Sequence, residues 1–214
     1  MTGTQSTSDA HVPHEVMLTA LDIETETRFG GGLDPLSSSV VALALAFDDG
    51  STVVFDDADE VTLLTRVDEA LRSRHGLLLT WNGAGFDLPF IAVRSRVLGI
   101  ETSIGLETRH DPALPVKYAP PAGLGDPVRA RWHATAHVDV AHLYRPFAEE
   151  HGLQWSLKPI ARRHGLEPVE VDRTAIHELS PAELEAYVAS DAIVTLDLAR
   201  RLPVTALLRA VLPF

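Results

Sequence analysis

Two acids stand two residues apart at the end of an apolar run, Asp22 and Glu24 in "LDIETETRFGGG". On a strand, residues i and i+2 point to one face. Two carboxylates on one face repel unless a cation or a proton lies between them. A third acid, Asp87, follows the small-residue loop Gly83-Ala84-Gly85 in "WNGAGFDLPF". A fourth, Asp191, lies four residues after Tyr187 in "YVASDAIVTLD", so the two share one face of a helix. The chemistry open to such acids is to share a cation. Each also has a plainer reading: a solvated strand end for Asp22 and Glu24, a helix N-cap for Asp87, an exposed aspartate for Asp191.

The surrounding sequence indicates the elements that would position these groups. "EVMLTALDIE" reads as a first strand, "SVVALALAFDDG" as a second closing on a turn, and "STVVFDD" as a returning third. "DEVTLLTRVDEALRSRHG" has apolar residues at helical spacing, with Gly76 as its expected stop. "LLLTWNG" has strand length, and "DLPFIAVRSRVLG" reads as a helix with Pro89 near its start and Gly99 after its end. "HVDVAHLYR" is a strand or a strand-to-helix passage, and "SLKPIARRHG" a short helix stopped by Gly165. "SPAELEAYVASDAIVTLDLARRL" carries the clearest helix start: Ser180 as N-cap, Pro181 at N1 and Glu183 completing a capping box. Asp197 is its expected solvent-facing acid. Between these lies Gly105 to Arg131, rich in proline and glycine. It is expected to be a long irregular loop, with Lys117, Arg129 and Arg131 as candidates for guiding a strand. The order favours one α/β domain around a mixed sheet, three antiparallel strands followed by parallel ones, flanked by helices.

Composition narrows the classes. The chain has 214 residues and 45% apolar content, enough for a proper core. It has no cysteine, which excludes disulfide frameworks, zinc–cysteine sites and thiol nucleophiles and fits a cytoplasmic setting. No apolar stretch reaches the roughly 18 residues of a membrane span, so no membrane partner is expected. Residues 1–14 lack the features of a secretory signal and read as a disordered lead-in to a single domain over 15–214. The net charge of −12 argues against a broad basic surface that coats nucleic acid, though not against a site where metal ions supply the positive charge.

Taken in order, Asp22-x-Glu24, Asn82-x-x-x-Phe86-Asp87 and Tyr187-x-x-x-Asp191 resemble the three exonuclease motifs of the DnaQ-like 3′–5′ exonucleases, in the tyrosine-bearing DEDDy branch. The wording "DIET…GGG" and "NGAGFD" looks most like the proofreading exonuclease domain of family B DNA polymerases and its stand-alone bacterial relatives. "SLKPIARRHGL" is similar to a segment between the second and third motifs there. The resemblance spans about Val16 to Leu202. It implies a ribonuclease H-like fold and hydrolysis of phosphodiester bonds at the 3′ end of single-stranded nucleic acid, DNA favoured over RNA. It also implies Asp22, Glu24, Asp87 and Asp191 as ligands of two Mg²⁺ or Mn²⁺ ions, with Tyr187 orienting the attacking water. Oxygen ligands are what such hard ions take, and a metal pair can serve both ends of an in-line displacement. Thr25, Asn82 and Phe86 would meet the terminal nucleotide. Asp139 matches a recurrent position of the family but is not expected to bind metal. Glu26 is expected to be solvated, and Lys158, Arg162 and Arg163 to form a small basic patch, an ordinary solvated helix face in preference to a phosphate contact.

Two other readings remain: a 3′-end-binding module that uses the same cleft without hydrolysis, and a carboxylate-pair glycosidase. The second needs two acids and leaves the Asn-x-x-x-Phe-Asp and Tyr-x-x-x-Asp patterns unexplained.

Overall fold

The computed structural model describes residues 16–28, 32–108 and 128–211. The N-terminal lead-in and Lys117 lie outside them. Among the described residues, seven strands form a sheet in the order β3-β2-β1-β4-β7-β6-β5. They are β1 (Leu18–Thr25), β2 (Val40–Phe47), β3 (Thr52–Phe55), β4 (His75–Thr80), β5 (Ile104–Thr108), β6 (Val128–Trp132) and β7 (Ala134–Asp139). The central strands β1, β4 and β7 run parallel, and the outer pairings are antiparallel. Among the described residues, six helices accompany the sheet: α1 (Glu60–Arg72), α2 (Asp87–Leu98), α3 (Val140–Glu150), α4 (Leu157–Arg163), α5 (Pro181–Arg200) and α6 (Val204–Val211). A 3₁₀ turn, Arg173–Glu178, precedes α5.

The two faces of the sheet differ in side-chain size. Leu21 and Ile23 of β1 join Leu43, Leu45 and Phe47 of β2 in a core against α1 and α2. On the other face, Ala20 of β1 joins Ala42, Ala44 and Ala46 in a core with Val188, Ala192 and Ala199 of α5. The β1–β2 register sets Ala44 opposite Asp22 and Ala42 opposite Glu24. The short alanine side chains leave room for α5 to lie against the same face as the two acids.

The ends of α5 follow the sequence reading. Ser180 accepts from the Glu183 amide while Glu183 reaches back to the Ser180 amide, and Pro181 stands at N1. Two expectations are corrected. Gly76 does not stop α1, which ends at Arg72 with Ser73 as C-cap. It lies in β4 with φ at +98°, where an added Cβ would stand 2.3 Å from the Met17 carbonyl oxygen. The Gly105–Arg131 region is not irregular throughout: its flanks are β5 and β6, paired as an antiparallel hairpin with Gly105 opposite Arg131. "HVDVAHLYR" resolves into the end of β7 and the start of α3, with Asp139 at the junction accepting from the Ala141 amide.

Gly76→Ala therefore meets both a strained backbone and a backbone carbonyl that cannot move without disturbing the Leu77–Met17 hydrogen bond. Urea unfolding is expected to show a loss of at least about 2 kcal/mol. A helix-stop role would instead leave the midpoint nearly unchanged in a variant that shifts the positive φ onto asparagine, Gly76→Asn, which here fails for lack of space.

Candidate metal centre

Alternation along β1 sends Leu21 and Ile23 into one core and Asp22 and Glu24 to the other face. Helical spacing on α5 turns Tyr187, Val188, Asp191 and Ala192 inward together. One cleft of about 250 Å³ results, and Asp22, Glu24, Thr25, Asn82, Phe86, Asp87, Tyr187 and Asp191 all line it. Three of the acids, Asp22, Glu24 and Asp191, each place a carboxylate oxygen within 4.8 Å of the other two. Asp87 stands on the wall of the cleft, outside that triad. Asp191 is 2% exposed. Its Oδ1 lies 3.2 Å from the Lys158 ammonium but completes no hydrogen bond. A buried carboxylate oxygen whose hydrogen-bonding capacity is left unfilled, beside two more carboxylates, fits a hard divalent cation.

The electrostatics point the same way. Burial, followed by repulsion from Asp191, Asp87 and Glu24, holds the Asp22 carboxyl well above the usual range. Burial and Asp191 push Glu24 up to about 8. Burial pushes Asp87 up to about 7, against the pull of its own backbone N–H and that of Ile23. Burial also raises Asp191, although the Lys158 ammonium, the Arg173 guanidinium and the Tyr187 hydroxyl hold it back. Lys158 and Arg173 offset only part of this, so without further positive charge these groups are driven toward their neutral forms.

The second motif is held by acids and hydroxyls outside the triad. Asp87 is the first residue of α2, with Phe86 as N-cap and no side-chain cap bond. The plain N-cap reading of Asp87 therefore does not hold. Asp139 organises the loop before it, accepting from the amides of Asn82 (2.9 Å), Ala84 (3.1 Å) and Ala141 (3.1 Å). It thus ties the turn of the second motif to the start of α3. Asn82 adopts the left-handed region, with φ at +67°. Gly83 folds onto Thr80, where a Cβ would fall 2.2 Å from Oγ1. That oxygen accepts from the Gly83 amide and bonds His137 Nε2 at 2.7 Å. The missing side chain at Gly83 thus serves packing inside the protein. Thr25 is buried, and its hydroxyl donates to the Gly32 carbonyl at 2.7 Å.

Several residues stand apart from the sequence reading. Lys158 is not on a solvated face with Arg162 and Arg163. It is buried, contacts Asp191, donates to the Val169 carbonyl and lies 4.1 Å from the Tyr187 ring centre. Leu157, Ile160 and Ala161 around it on α4 are all apolar and buried. Glu26 is not simply solvated: its carboxylate bonds Arg28, which holds it below the usual range. Asp197 is partly covered and pairs with Arg200 at 3.3 Å. Arg131 is exposed on β6, while the Arg129 side chain lies outside what is described. Arg173, Trp81 and Trp155 also line the cleft, and no periodicity or spacing in the sequence marks them.

The raised carboxyls fix the sign of a pH effect in the metal-free protein. Their folded values exceed the unfolded ones, so the stability they allow is full below about 4 and is lost as pH rises through about 7 to 8. With a chelator present, the melting temperature should fall across that window. Glu24→Gln should melt at least about 3 °C above wild type at pH 8.5 and close to it at pH 4. Equal melting at both pH values would contradict a strained acid cluster. Added Mn²⁺ should raise the wild-type melting temperature at pH 8.5.

Comparison with known proteins agrees with this architecture. The family model RNase_H_2, of the RNase_H superfamily, matches residues 20–176, well over half of the chain and inclusive of Asp22, Glu24 and Asp87. No curated protein matches. Among solved structures, the family B DNA polymerase from the hyperthermophilic archaeon Pyrobaculum calidifontis superposes with a TM-score of 0.62 at 23% identity. The match covers 90% of this chain and 25% of the polymerase, so the chain spans about a quarter of that protein's length. The mixed sheet, the helices on both its faces and the matched family model together place the chain in the RNase_H superfamily.

Proposed function

We propose that the chain is a metal-dependent 3′–5′ exonuclease of the DnaQ-like DEDDy kind, with residues 15–214 as one exonuclease domain working in the cytoplasm. It would hydrolyse phosphodiester bonds at the 3′ end of single-stranded nucleic acid, DNA in preference to RNA, and release nucleoside 5′-monophosphates. The observation that carries this reading is the meeting of Asp22, Glu24, Asp87, Tyr187 and Asp191, drawn from three distant stretches of sequence, in one small cleft.

Asp22, Glu24 and Asp191 would hold divalent metal, with Asp87 completing the set for a pair of Mg²⁺ or Mn²⁺ ions. When bound, such ions lower the pKa of a coordinated water and stabilise the charge on the departing 3′ oxygen. The protein's own groups do the rest. Burial and the charges of Glu24 and Asp191 keep the Tyr187 phenol protonated far above its ordinary range. As a protonated phenol, its hydroxyl can donate a hydrogen bond to a water. The apolar rings of Trp81, Phe86 and Trp155 along the cleft suit stacking against unpaired bases. The cleft's size favours one terminal nucleotide over a duplex. The net charge of −12 limits how many phosphates the chain can neutralise, so a shallow dependence of binding on salt is expected.

The decisive experiment uses 5′-labelled single-stranded DNA and RNA of equal sequence with Mg²⁺, Mn²⁺ or chelator. Wild type should give a ladder shortening from the 3′ end only with metal, faster on DNA. Asp87→Asn should lower the rate on the order of 10³-fold or more. Equal activity in the variant would remove Asp87 from the site, and binding without cleavage by wild type would favour a 3′-end-binding module.

A further inference from the structure

Among the described residues that line the cleft, four are carboxylates and Arg173 is the sole lysine or arginine. Any phosphate that enters meets acids on most sides, and Lys158 lies behind Tyr187, outside the lining. Arg173 opens the 3₁₀ turn, which Asp172 caps by accepting from the Thr174 amide and hydroxyl. The turn is fastened at two points. Ile176 is buried against it, and His177 Nδ1 bonds Thr27 Oγ1 at 2.8 Å, just beyond the end of β1. Arg173 is thus delivered by an anchored segment. Its Nε donates to the Tyr187 hydroxyl at 3.0 Å and its Nη2 stands 3.6 Å from Asp191 Oδ2. Yet the side chain is 64% exposed.

From this geometry we infer that Arg173 is the phosphate-gripping residue of the site, fixed at one edge by Tyr187 and presenting the other edge of its guanidinium to the phosphodiester of the 3′-terminal nucleotide. A planar fork with one edge satisfied and the other open suits a phosphate, whose oxygens accept in pairs. With Asp191 engaged as a metal ligand, Nη2 is also free to turn to the substrate. The bond from Nε occupies a lone pair of the Tyr187 oxygen, so the phenol proton is kept on the side of Asp191 and the cleft. This assignment rests on the exonuclease reading and adds to it the group that recognises the strand's charge.

The test is equilibrium binding of a 5′-fluorescein single-stranded DNA to the full chain, with Ca²⁺ as the probe ion, across a salt series. The strand is used as such and with a neutral methylphosphonate at its last linkage. Arg173→Ala should weaken binding about 10-fold or more and reduce the salt slope by about 0.7, the value for one phosphate contact on a single strand. Arg173→Lys should retain the slope. The methylphosphonate should weaken wild type but add nothing to the loss in Arg173→Ala, because the two changes remove one contact. Should Arg173→Ala not fold, Arg173→Gln keeps a donor toward Tyr187 without the charge and reads the same slope. Wild type that digests unmodified DNA with Mn²⁺, yet shows the same slope and the same methylphosphonate penalty as the variant, overturns the Arg173 assignment alone. Wild type that neither binds nor digests the strand overturns the exonuclease reading and this assignment with it.

Discussion

Like charge confined in a largely buried cleft is the condition around which this molecule is organised. Asp22, Glu24 and Asp191 bring carboxylate oxygens within 4.8 Å of one another, with Asp87 on the same wall. Free in water, such groups would separate. Here the backbone denies them that: two belong to a central strand with neighbours on both sides, and one to a twenty-residue helix packed on the sheet. The apolar cores on both faces outweigh the repulsion, and Lys158 and Arg173 offset part of it. The cleft is thereby held ready to accept positive charge.

The approach of α5 to β1 depends on an alternation of size rather than of polarity. In "VVALALAF" every residue is apolar, yet alanines face α5 and leucines face α1 and α2. A larger residue at Ala42 or Ala44 would stand opposite Glu24 or Asp22 and push the helix bearing Asp191 away from them. The geometry of the acids is therefore encoded partly in residues with no chemistry of their own.

The same distinction explains what could be read beforehand. Local signals were legible: the capping box at Ser180, the glycine after α2, the acid pair on β1 and the Tyr-x-x-x-Asp face of α5. Each depends on residues close together in the chain. What was hidden depends on distant partners. The β5–β6 hairpin pairs segments separated by a long proline- and glycine-rich stretch, which dominated the reading of the region. Gly76 resembled a helix stop because the carbonyl that requires it belongs to Met17. Lys158 resembled part of a surface patch because Arg162 and Arg163 follow it, while its partner Asp191 comes 33 positions later in the chain. Arg173 belongs to no periodic element, so nothing but the folded chain reveals that it reaches Tyr187.

The pairing of β1 has an implication for how such a chain can vary. Its register with β2 holds from Thr19 to Glu24 and shifts only between Glu24 and Thr25. Inserting or deleting one residue before Glu24 would exchange the faces of everything on one side of the change, sending acids into the leucine core or Leu21 and Ile23 into the cleft. The irregularity comes directly after the last acid of the pair. The apolar side chains of β1 can be exchanged for others of like size, but its length up to Glu24 is fixed by the face on which Asp22 and Glu24 must stand.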